Sequence, residues 1–100
     1  MSAAYWLTPR AAADLDEILD YYLREADASV AERVAAEFDR NLRLLAANRY
    51  LGRRRDDLVP DVVRFWAVYS YFVVYYPDET PLLIARIIHA ERELRVLFLE

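Results

Sequence analysis

The chain has no cysteine and no lysine, and only one histidine and one glycine among its 100 residues. Without cysteine there is no disulfide framework and no thiolate metal site. A single histidine, His89, excludes any metal centre built from several imidazoles. A single glycine, Gly52, excludes a glycine-rich phosphate loop. No run is long and apolar enough to span a bilayer, and the N-terminus lacks a secretory signal pattern. The expectation is a cytoplasmic protein with no membrane partner, no metal and no cofactor.

What is present is enough for one domain over residues 1–100, large enough to bury a core without staples. All 13 basic residues are arginines, and the net charge is −4. Residues 1–47 hold five arginines and nine carboxylates, whereas residues 48–100 hold eight of each. A general nucleic-acid binder shows a basic excess over the whole domain. This chain does not, so direct sequence-specific binding of nucleic acid is not expected.

Residues 4–7 read as a short strand. Thr8-Pro9 then opens a helix, with Thr8 as cap and proline at the first helical position. Ala11, Leu15, Ile18, Leu19 and Tyr22 recur at helical spacing up to about Glu25. Ser29, with Glu32 three residues on, reads as the capping box of a second helix. Its apolar stripe is Ala31, Val34, Ala35, Phe38, Leu42 and Leu45, and it ends near Asn48. So short a link makes the two helices an antiparallel hairpin. The period disappears over residues 49–61, a loop in which residues 53–55 are three arginines followed by two aspartates, a self-neutralised turn. Apolar runs at 62–67, 69–76 and 82–88 then read as strands, with a turn near Ala67-Val68-Tyr69. The tail, residues 91–100, fits neither period.

The predicted fold is α+β, in the order β-α-α-β-β-β. A helical hairpin packs on one face of a small, mostly antiparallel sheet. Residues 82–92, LLIARIIHAER, carry an arginine within an apolar strand. Strict alternation puts Arg86 with Leu82, Ile84 and Ile88, leaving Leu83, Ala85 and Ile87 under the helices. The face away from the helices then carries Arg64 and Arg86 among apolar residues and calls for a partner. Buried unpaired, such an arginine is costly; it faces solvent, faces a partner or is paired.

One constellation has chemistry. Arg64, Arg86, His89 and Arg92 converging at one end of the sheet are the minimum for RNA cleavage by 2′-hydroxyl attack. The arginines hold phosphate and His89 moves a proton. The plainer reading is that Arg86 and His89 are structural or meet a partner's carboxylates.

These residues resemble the RelE/ParE superfamily of bacterial toxins, over nearly the whole length. The likeness rests on YWLTPRAAADLDEILDYY at residues 5–22, on Gly52-Arg53 with Asp57-Leu58, and on Arg64, Val68, Tyr71, Val73 and Tyr75. It ends on Ile84, Arg86, Ile87, His89 and Arg92. The ribonucleases of the superfamily carry catalytic lysines and a tail tyrosine; this chain has no lysine, and Phe98 stands in its tail. That favours the ParE branch. The resemblance implies a type II toxin that poisons DNA gyrase and forms a hetero-oligomer with a ParD-like antitoxin. Contacts to target or antitoxin are expected at Arg64, Trp66, Arg86, Arg92, Leu97 and Phe98. A ribosome-dependent mRNA endonuclease and a non-toxic interaction module on the same fold are the alternatives.

Overall fold

The computed structural model describes residues 4–55 and 62–90. The elements are β1 (Tyr5–Leu7), α1 (Pro9–Glu25), α2 (Ala28–Ala47), β2 (Arg64–Val68), β3 (Tyr71–Tyr76) and β4 (Leu82–His89). The strands form one sheet in the order β1-β4-β3-β2. β1 runs parallel to β4, and the other pairs are antiparallel. The two helices lie on one face of this mixed sheet, as the periodicities predict.

Local chemistry sets the helix ends. The Thr8 hydroxyl accepts from the Ala11 amide at 3.0 Å, and Pro9 follows it. The same hydroxyl donates to the Ala85 carbonyl at 2.8 Å, so the cap also ties α1 to β4. The start of α2 differs from the predicted capping box at Ser29. Asp27 is the cap, accepting from Val30 N–H at 2.9 Å, and the helix opens at Ala28. An aspartate two residues earlier supplies the acceptor first, so Ser29 is already helical.

Between helices and sheet, Phe38, Leu42 and Leu45 of α2 and Ala11 and Ile18 of α1 meet Val68, Val73, Tyr75, Leu82, Ile84 and Ile87. A second buried cluster, Val63, Phe65, Val74 and Ile88, lies on the opposite face with Phe72 and Tyr76 packed against it.

Strict alternation fails in β4. Tyr75 lies opposite Ile84 and Val74 opposite Arg86, so Ala85 has no counterpart. This bulge shifts the pleat by one residue. Ile84 and Ile87 therefore share the helix-side core, while Ile88 joins the second cluster. Ala85 is the bulge residue and not a core contact. The hairpin turn also moves. β2 continues through Val68, and the turn is Tyr69-Ser70, with Tyr69 at φ 53°. A positive φ is unusual for tyrosine. The Tyr69 ring meets Phe38 edge-on at 6.3 Å.

Candidate functional site

Among the described residues, Arg64 and His89 do not come together. Arg64 lies opposite Tyr75 at one end of β3, and His89 lies opposite Tyr71 at the other. Four residues of strand separate those positions, about 13 Å at about 3.3 Å per residue. Arg92, Leu97, Phe98 and the Asp57-Leu58 part of the motif lie outside the described residues.

Arg86 is held from within. Its Nε donates to Asp14 Oδ2 at 2.7 Å and its Nη2 to Oδ1 at 3.1 Å, a bidentate pair. The side chain of Asp14 is only 8% exposed and that of Arg86 21%. Asp14 Oδ2 also accepts from the Ile87 amide at 2.9 Å. That amide lies just past the last residue of β1, which pairs only as far as Ile84. The carboxylate thus substitutes for the strand that β1 no longer provides. Arg86 lies opposite Val74 and so keeps the pleat of the outer cluster, yet its guanidinium reaches Asp14 of α1. The carboxylate it meets is internal.

Arg64 lies on the helix side, together with Trp66 and Val68, and not on the outer face as expected, because it pairs with Tyr75. Its Nη1 donates to the Gly52 carbonyl at 2.8 Å and the Tyr50 carbonyl at 3.3 Å. Its guanidinium lies 5.2 Å from the centre of the Tyr50 ring. The loop it grips is pinned further. The buried Tyr75 hydroxyl donates to the Arg49 carbonyl and accepts from the Gly52 amide, each at 2.9 Å. Burial pushes the Tyr75 hydroxyl pKa up. Arg49 donates to the Pro77 carbonyl at 3.0 Å and also to the Glu79 carbonyl. Arg53 pairs its backbone with Phe65 in both directions at 2.8 Å. The first of the three consecutive arginines is therefore a rung on the edge of the sheet.

Trp66 is half-buried, and its indole N–H donates to Asn41 Oδ1 at 2.9 Å. It lines an edge cleft of about 490 Å³ with Leu51, Arg53, Arg55, Phe65 and Phe72. His89 meets the Tyr71 ring edge-on at 5.5 Å. It lines a separate cleft of about 760 Å³ with Glu17, Asp20, Tyr21, Arg24 and Ser70. Among the described residues no cluster of histidine and carboxylates is placed to hold a metal ion. No described helix is long and apolar enough to cross a membrane.

Asp14 and Asn41 were not singled out by the sequence reading. Both had a signal: each is a polar residue inside an apolar stripe, Asp14 between Ala11 and Ile18, Asn41 between Phe38 and Leu45. A buried acid on a helix and a lone arginine in an apolar strand are each other's natural partner.

With this geometry in place, the comparisons decide the family. Residues 5–94 match the family described as the ParE toxin of type II toxin-antitoxin system, parDE. The chain belongs to this family. The ParE match spans both helices and all four strands. The fold is also shared with a solved chain described as the chromosomal ParDE TA system from P. aeruginosa. That likeness has a TM-score of 0.74 at 24% identity, covering 90% of this chain and 98% of the other. No curated protein sequence matches the chain.

Proposed function

We propose that this ParE-family chain is a non-catalytic toxin that acts by binding DNA gyrase in the cytoplasm, and that a ParD-like antitoxin neutralises it by forming a hetero-oligomer. The observation that carries the reading is the separation of Arg64 from His89 by the length of β3, with Arg86 committed to Asp14. Cleaving an RNA backbone takes a base, an acid and a cation at the phosphate within one reach. Arginine stays protonated and serves only as the cation. His89 can make one proton transfer, and the chain has no lysine, the residue type that the superfamily's ribonucleases carry as a catalytic group. A net charge of −4 also disfavours entry into a ribosome lined with phosphate. Binding a protein asks for less: an aromatic anchor such as Trp66, nearby arginines and apolar surface. Arg92, Leu97 and Phe98 are proposed contacts on the sequence reading alone.

The test in cells is inducible expression with and without the adjacent reading frame. The reading expects growth arrest with signs of DNA damage, relieved when the neighbour is co-expressed. Harmless expression at high level favours the interaction module instead.

A further inference from the structure

We infer that Tyr69, at the tip of the β2–β3 hairpin, is an anchor by which the chain grips the protein it acts on, its ring filling a concave apolar pocket of that partner. The inference deepens the toxin reading and rests on it for the existence of a target. Val68 lies opposite Tyr71, so the turn between them holds only Tyr69 and Ser70. Tyr69 is at φ 53°, and among the described residues no other non-glycine residue has a positive φ. In a two-residue hairpin turn, positive φ at the first place alone is the position of glycine. A Cβ crowds the backbone there, so tyrosine holds the place at a cost that glycine or asparagine would avoid. Strain of this kind gathers at sites that act on a ligand or a partner.

The fold does not use up the ring. Tyr69 is 58% exposed and meets Phe38 of α2 edge-on. The hydroxyls of Tyr5, Tyr50 and Tyr75 each bond within the chain, whereas that of Tyr69 has no hydrogen-bond partner among the described residues. An apolar ring and a polar tip are thus left for a partner, the pairing that makes tyrosine a common anchor at interface centres. Beside it on α2 is Arg40, which donates to Glu37 through Nε at 3.1 Å and through Nη2 at 2.5 Å. The bond to Glu37 raises the Arg40 pKa first, and the Tyr69 hydroxyl adds to the rise, so the two side chains share one surface. With Arg40 committed to Glu37, the tip offers a neutral polar rim and no cation for a phosphate, which favours a protein over a nucleic acid as the partner. The tip is convex, so what fits it is a pocket, apolar around the ring and with a hydrogen-bonding group at its floor.

The experiment compares the full-length parent with Tyr69→Asn, Tyr69→Gly and Tyr69→Phe. Each is read for growth arrest on induction, for the concentration that half-inhibits DNA gyrase supercoiling, and for its thermal unfolding midpoint. Tyr69→Asn and Tyr69→Gly should hold or raise the midpoint, because relief of the backbone offsets the lost edge contact. Both should weaken inhibition about thirtyfold. Tyr69→Phe keeps the ring and should weaken it about fivefold. A variant as stable as the parent yet less active is a result that a purely structural role does not give. Full activity in Tyr69→Asn overturns the inference, as does a fall in midpoint that accompanies the loss of activity. A parent that is dimeric by light scattering, with Tyr69→Asn monomeric, gives the tip to a second copy and also overturns it. Where the parent arrests growth but spares gyrase, the growth readout decides. A parent that does neither removes the toxin reading and this inference with it, whereas an active parent with an equally active Tyr69→Asn leaves that reading standing and removes the inference alone.

Discussion

At the scale of single residues, the most consequential contact is Arg86 with Asp14. Asp14 holds both the guanidinium and the Ile87 amide, so removing the arginine leaves a carboxylate buried without its counter-charge. Arg86→Ala should destabilise the fold by about 3 kcal/mol, measured by urea unfolding. Arg86→Lys should recover only part, because an ammonium cannot reproduce the bidentate geometry. A loss below about 1 kcal/mol would mean the pair is solvated and replaceable. Gly52 is the second such residue. A Cβ there meets the Tyr75 hydroxyl at 2.6 Å and the Phe65 carbonyl at 2.8 Å. The carbonyl is backbone and has little room to move. Gly52→Ala should therefore cost about 1–3 kcal/mol as overpacking, and an unchanged urea midpoint would contradict that. The sequence placed Gly52 in the loop after α2 and in the family resemblance, with no contact to explain it. Its actual constraint, a tyrosine hydroxyl arriving from 23 residues further along, is a tertiary fact that no local pattern carries.

At the scale of elements, the helices were legible because period 3.6 is intrinsic to one segment. Phe38 is fully buried where that stripe put it. Phe38→Ala should cost about 3–5 kcal/mol, and a change well under 1 kcal/mol would place the ring outside the core. The strands were legible as runs but not as faces. One bulge residue, Ala85, reverses the alternation in the rest of β4, and nothing in LLIARIIH announces it. The start of α2 was misplaced because Asp27 and Ser29 both suit a cap. The tie between β1 and α2 adds a dependence on pH. Burial, with help from the bond to Asp39, pushes the Tyr5 hydroxyl up to about 12. The bonds from Tyr5 and Arg43 hold the Asp39 carboxyl below its ordinary value. A raised tyrosine pKa stabilises below its ordinary value near 10 and loses that contribution as pH rises through about 12. A lowered carboxyl pKa stabilises above its ordinary value of 3.8 and loses it as the solution turns more acid. Tyr5→Phe should cost about 1 kcal/mol near neutrality. The gap from the parent should narrow between about pH 10 and about pH 12 in thermal unfolding. A gap constant across that window would show that the hydroxyl contributes no bond there.

At the scale of the whole molecule, the ParE family assignment and the βααβββ architecture agree, and the motifs that suggested both turn out to be largely structural. The arginine of "I.RI.H" is the Asp14 clamp, and the arginine that opens β2 fastens the loop after α2. The sequence showed arginines and a histidine spaced as if for chemistry. It could not show that β3 keeps two of them at opposite ends. Arg64 and Arg86 of the apparent catalytic set are taken up in holding the fold, and the central claim proposed is that the chain acts through its surface. The most direct measurement compares two assays on one purified preparation, DNA gyrase supercoiling and the integrity of mRNA on translating ribosomes, each with the parent and His89→Ala. The account predicts that supercoiling is inhibited by both proteins to within a few-fold and that the mRNA stays intact. Codon-specific cuts by the parent that vanish in His89→Ala, with supercoiling untouched, would contradict it.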